Sequence, residues 1–146
     1  MRSPKTILLI VSILIFVLSL PMKTYCIDDD CGDYWSGLAT LLIGFLGILY
    51  EKAGSISWFA NPLILLAWIL SYRWIYVKLT CSLLASLLAL YFLSFDQTLK
   101  NEAGHIGNIT GYASGYWFWT SSIIIYAVGQ FYFFFKFKIN NSITIK

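Results

Sequence analysis

Two short apolar runs on either side of a polar joint constrain this chain more than any other feature. They are Ser36–Tyr50 and Pro62–Leu70, and the joint is Glu51–Ser57. A hydrocarbon core of about 30 Å takes roughly 20 helical residues to cross, and neither run has that length. The stretch Ser36–Val77 therefore crosses a membrane twice as thin segments, or holds a re-entrant segment over 36–57 that dips in and returns. The second option requires its turn to be buried in protein or hydrated. The choice sets which side every later loop faces.

The remaining chain reads as membrane-embedded. Of 146 residues, 59% are hydrophobic and 12% are charged, where soluble domains carry about 25% charge. That leaves no room for a separate soluble domain, so one membrane domain over 1–146 is expected. The net charge of +3 is small, and no basic tract interleaves with aromatics on a polar face. Nucleic acid is therefore not an indicated partner, whereas a lipid bilayer is.

Three further apolar spans surround the broken one. Thr6–Leu20 follows Arg2 and Lys5 and stops at Pro21. A charged start before an apolar core also opens a signal peptide, but Leu-Pro-Met-Lys-Thr-Tyr-Cys offers no small-residue cleavage site. An uncleaved first helix is expected. Leu79–Phe95 lies between Lys78 and Asp96, and Tyr116–Phe135 carries aromatics at both ends with Lys136 and Lys138 at one, the pattern of an interfacial belt. Asn61-Pro62 looks like an N-cap followed by proline at the first helical position. The expected fold is an all-α, polytopic helical bundle of four or five membrane segments.

Lys and Arg placement weighs the two topologies. With the N-terminus inside, five spans leave Arg2, Lys5, Lys52 and Lys100 inside against six outside, contrary to the positive-inside rule. Flipping that model corrects the count but puts the Cys26–Cys31 loop in a reducing compartment. Four spans place Arg2, Lys5, Arg73, Lys78, Lys136, Lys138 and Lys146 inside and Lys23, Lys52 and Lys100 outside. Charge favours four. Asp33 to Glu51 is still long enough for a thin crossing, about 27 Å of helix, so five spans stay open.

Chemistry-bearing residues are few. Cys26 and Cys31 flank the acidic stretch Ile27–Asp30 and are disulfide candidates if their loop faces an oxidising compartment. Free thiols or a metal site are the other readings, the metal one lacking a second Cys pair and a nearby His. Cys81 sits in an apolar run as a small packing residue. Glu102 and His105 have the Glu-x-x-His spacing of di-iron bundles, which need a second copy; the stretch Asp96–Ser114 reads as a solvated loop turning helical near Gly111. Two faces of small residues recur every four positions: Ser36, Thr40 and Gly44, then Cys81, Ala85 and Ala89. Such faces let helix backbones approach closely in lipid, and each is a candidate partner for the other. No Asp, Glu, Lys or Arg lies at the middle of a span, which argues against proton relays, coupled transporters and voltage sensors.

The runs SGLATLLIGFLGIL, WFANPLILLAWIL and SGYWFWTSS resemble a group of small, uncharacterised bacterial inner-membrane proteins. The resemblance covers most of the chain after Pro21 and implies a multi-pass inner-membrane location without implying an activity. No catalytic, cofactor-binding or metal constellation is found, so no cofactor is expected. Two classes of function follow. One is a non-enzymatic protein acting through helix–helix or protein–protein contacts, as a membrane subunit or a toxin-immunity protein, with a membrane-protein partner or as a homo-oligomer. The other is an oligomeric channel or small transporter, suggested by the broken helix at Asn61-Pro62. An enzyme would have to work with Asp28–Asp30, Asp96, Glu102 and His105 at the interface.

Overall fold

A computed structural model describes residues 3–31, 35–47, 54–100 and 105–144. Arg2, Asp33, Lys52, Glu51, Glu102 and Lys146 lie outside the described residues. The described chain is mostly helical. Its α-helices are α1 (Pro4–Ser19), α2 (Gly37–Ile43), α3 (Ala60–Ile69), α4 (Ile75–Tyr91) and α5 (Ser114–Thr144). The expectation of an all-α chain fails at one end, where β1 (Tyr25–Ile27), β2 (Gln97–Leu99) and β3 (Ile106–Tyr112) form an antiparallel sheet in the order β1-β3-β2. Its register pairs Cys26 with Gly111 and Thr98 with Gly107. The stretch read as a solvated loop turning helical near Gly111 is thus a strand through Tyr112, with the helix starting at Ser114.

Local signals explain the starts of α1 and α2. Ser3 accepts a hydrogen bond from the Thr6 N–H and Pro4 takes the first turn of α1; Ser36 accepts from the Ala39 N–H at α2. Both satisfy backbone donors that the helix leaves unpaired. Asn61 behaves differently from the expected cap: α3 starts before it, at Ala60, with Phe59 at the cap position and no side-chain cap. Lys78 likewise lies inside α4 rather than ahead of it.

Side-chain contacts give the directions of the helices. Along α1 and α5, Lys5 meets the Phe133 ring, Leu8 meets Gly129, and the Ser12 hydroxyl donates to the Ser122 carbonyl, so the two run antiparallel. Tyr116 donates to the Ala89 carbonyl while Tyr76 stacks edge-on with Phe134, so α4 is also antiparallel to α5. Asn61 pairs with Trp119, Ala67 with Tyr126 and Tyr72 with Gln130, which makes α3 parallel to α5. The bundle therefore has a sheet-bearing end and an opposite end holding Lys5, Tyr72 and Phe133.

The two longest apolar helices, Tyr72–Ser94 and Ser114–Ile139, are long and apolar enough to cross a membrane; Pro4–Ser19, Gly37–Leu46 and Ser55–Ile69 are apolar but shorter. Two helices, not four or five, reach crossing length unaided. Their common core is Phe16, Ala60, Ile64, Ala67, Cys81, Ala85, Ala89, Ile123 and Tyr126. Large apolar side chains also cover the outside, with Ile69, Leu87 and Val128 more than half exposed.

Candidate functional site

Two parts of the molecule depart from a plain bundle: the broken segment between α2 and α3, and the sheet-bearing cap.

The break begins where α2 tightens into a 3₁₀ turn at Gly44–Leu46. Residues 54–59 then come back alongside it. The Trp58 indole N–H donates to the Leu41 carbonyl at 3.0 Å, and a Cβ on Gly44 would stand 2.7 Å from the Trp58 ring. A Cβ on Gly47 would meet the Ser55 hydroxyl at 2.6 Å. The small face of α2 thus seats an indole from the returning chain, and Trp58 is half-buried there. From Ala60 the 3₁₀ stretch continues into α3, which runs to the end remote from the sheet. Asn61, 5% exposed, accepts a hydrogen bond from the Trp119 indole N–H at 2.8 Å. Tyr126 donates to the Ala67 carbonyl at 3.0 Å. Trp68 donates to the Ser12 hydroxyl, which itself donates to Ser122. A column of buried polar contacts therefore ties α1, α3 and α5 together and satisfies polar groups withdrawn from water.

The cap is built by three distant stretches of chain. Ile27 and Asp30 exchange backbone hydrogen bonds at 2.9 Å each way, closing a two-residue turn with positive φ at Asp28 (50°) and Asp29 (66°). Hairpin turns of two residues favour that geometry and aspartate tolerates it. A disulfide between Cys26 and Cys31 closes the base of this turn. Asp28 faces β3 and the chain after β2: one carboxylate oxygen accepts from the Lys100 ammonium at 2.7 Å, and the other accepts from the Asn108 N–H at 3.0 Å. The Lys100 hydrogen bond, then the Asn108 N–H, hold the Asp28 carboxyl below its ordinary value. His105 lies beside them, its carbonyl accepting from the Lys100 N–H.

Cap and bundle meet at the link after α1. The N–H groups of Gly37 and Gly115, at the starts of α2 and α5, donate to the carbonyls of Met22 (2.9 Å) and Lys23 (2.8 Å). A Cβ on Gly37 would stand 2.5 Å from the Ser19 carbonyl oxygen, and one on Gly115 would stand 2.6 Å from that of Lys23. Only glycine lets these backbones approach so closely.

No family model, curated protein or solved structure matches the chain.

The residues singled out in the sequence fall as follows. Cys26 and Cys31 are joined, and Cys81 is free and buried. Cys81, Ala85 and Ala89 line the core against Ala60, Ile64 and Ala67 of α3. Ser36 caps α2, the Thr40 hydroxyl donates to the Ser36 carbonyl, and Gly44 meets Trp58. Each small face thus seats against a different neighbour, α3 in one case and the returning chain in the other. Among the described residues no group of three or more His, Cys, Asp or Glu is placed to hold a metal ion. The hairpin turn, the sheet and the Asp28–Lys100 pair have no counterpart in the sequence reading; the successive aspartates were the only local hint of the turn.

Proposed function

We propose that this chain is a multi-pass protein of a bacterial inner membrane, non-enzymatic, acting by protein–protein contact as a membrane subunit or a toxin-immunity protein. In this reading it crosses four times, with α1, α3, α4 and α5, while the re-entrant segment over 36–57 dips in from the cap side and returns. Both chain ends face the cytoplasm and the cap faces outward. The observation that carries it is the division of the molecule into three zones. Its sides are apolar, its cap holds Asp28, Asp29, Asp30 and Asp96, and its opposite end holds Lys5, Arg73 and Lys78. Lys23 and Lys100 lie on the cap side, so the described basic residues are in excess at the opposite end without being confined to it, as the positive-inside rule requires, and an outward cap suits a disulfide. The cap is the natural contact surface, because it presents polar side chains together with sheet edges away from lipid.

The test is photo-crosslinking in cells from Asn108, exposed on the cap, compared with Ile69, 82% exposed on the apolar side. A discrete protein adduct from Asn108 and none from Ile69 is the expected outcome. Adducts of one chain with itself from Ile69, and none from Asn108, would favour the second reading, an oligomeric channel or small transporter. The break beside Asn61 is what favours that alternative, since discontinuous helices line ion and substrate sites in transporters.

A further inference from the structure

At the end remote from the cap two lysines converge on one aromatic ring. The Lys5 ammonium stands 4.0 Å from the centroid of Tyr72, and the Lys78 ammonium stands 4.6 Å from it. Lys78 is 3% exposed, although it is a lysine. Of its three N–H donors, one reaches the Leu70 carbonyl at 3.0 Å; the ring faces of Tyr72 and Tyr126 supply its other contacts. Lys5 is exposed, and rings of Tyr72 and Phe133 are its contacts. The described carboxylates, Asp28, Asp29, Asp30 and Asp96, all lie at the cap. Ring quadrupoles attract cations, but two like charges on one ring repel each other and retain unused donors. A buried ammonium without an anion is costly.

We infer that Lys5, Lys78 and Tyr72 form a site for one phosphate-bearing anion, with the two ammonium groups donating to its oxygens and the tyrosine ring holding both cations in place. The anion approaches from the Lys5 side, where the cluster opens to the surface. In a bilayer the nearest such group is the phosphodiester of an anionic lipid, and basic pockets between membrane helices take lipid headgroups in this way. The lipid source rests on the membrane reading above, whereas the phosphate chemistry does not. A wrong topology would show in side-of-membrane labelling and leave the following measurement unaffected.

The experiment is native mass spectrometry and thermal melting of the full chain in an uncharged detergent, with phosphatidylglycerol, phosphatidylcholine or inorganic phosphate added. We expect retention of one phosphatidylglycerol and a raised melting temperature, with phosphatidylcholine weaker. Lys5→Gln, at an exposed position that leaves the core intact, is expected to weaken retention about fivefold, the value of one lysine near an anionic surface. Lys78→Gln should weaken it at least as much, and Lys136→Gln with Lys138→Gln should leave it unchanged. Inorganic phosphate matching phosphatidylglycerol, with the same dependence on Lys5 and Lys78, would identify a soluble phosphate as the ligand of the same site. Binding that ignores Lys5→Gln, or falls equally with the Lys136 and Lys138 changes, would overturn the site.

Discussion

The two ends of this bundle are held by different physics. At the cap, directional groups fix every strand: a disulfide, paired backbone N–H and C=O groups, and a carboxylate bridging Lys100 and Asn108. At the opposite end, Lys5 and Lys78 lie against aromatic rings, and Lys78 also donates to the Leu70 carbonyl. Directional contacts specify one geometry, whereas cation–ring contacts tolerate displacement and leave donors for something else. The cap should therefore be the brittle end and the lysine end the adaptable one.

The largest expected effect lies where cap and bundle join. Gly115→Val places a branched side chain against the Lys23 carbonyl, a backbone obstacle that cannot rotate away. A loss of about 3 kcal/mol, the upper range for overpacking, is expected, read as thermal stability in detergent. A parental melting temperature in this variant would mean that the close approach is not part of the folded protein. Replacing Cys26 and Cys31 by serine comes next, at about 2 kcal/mol for so short a loop on the chain-entropy account. Thiol blocking before and after reduction, followed by mass measurement, checks the bond itself. Labelling of both cysteines without reductant would contradict the cap as described.

Gly44→Leu tests the interior between the ends. It drives a side chain into the Trp58 indole, and about 1–2 kcal/mol is expected because that ring can shift. Leu46→Ala, at a 41% exposed position, should cost less. Equal melting temperatures for the two variants would mean that Gly44 meets lipid instead of the indole.

The smallest effect is that of pH on the Asp28–Lys100 pair. The Asp28 carboxyl is held low in the folded chain, so its contribution is complete above the ordinary carboxylate value and fades as pH falls through the lower folded one. Acidification should loosen the cap, seen as faster exchange of the Asn108 N–H, and Lys100→Met should flatten that response. An acid response identical in Lys100→Met would remove the pair from the account.

Much of the helical part was legible because it depends on local composition. The run Thr6–Leu20 with its stop at Pro21 matches α1 within two residues at either end, and the repeat Cys81, Ala85, Ala89 marks the buried side of α4. The sheet was not legible, since its strands are short and its pairing joins Tyr25 to Tyr112 across most of the chain. Gly107 and Gly115 lie in and just beyond the stretch that reads as a solvated loop turning helical near Gly111. In the structure they answer separate needs, Gly107 making room for Ile27 within the sheet and Gly115 for the Lys23 backbone. Asn61 looked like a cap because it precedes proline, yet tertiary contact with Trp119 claims its side chain. Lys78 looked like a flank of its span because nothing local shows that Tyr72 and Leu70 would enclose it.

The proposed four crossings, by α1, α3, α4 and α5, are tested most directly by reporter fusions before Met1 and after Lys146 combined with impermeant thiol labelling of a cysteine introduced at Asn108. Both termini are predicted to be cytoplasmic, with Asn108 outward and labelled. An N-terminus on the outward side, or a C-terminus on the same side as Asn108, would contradict the four crossings.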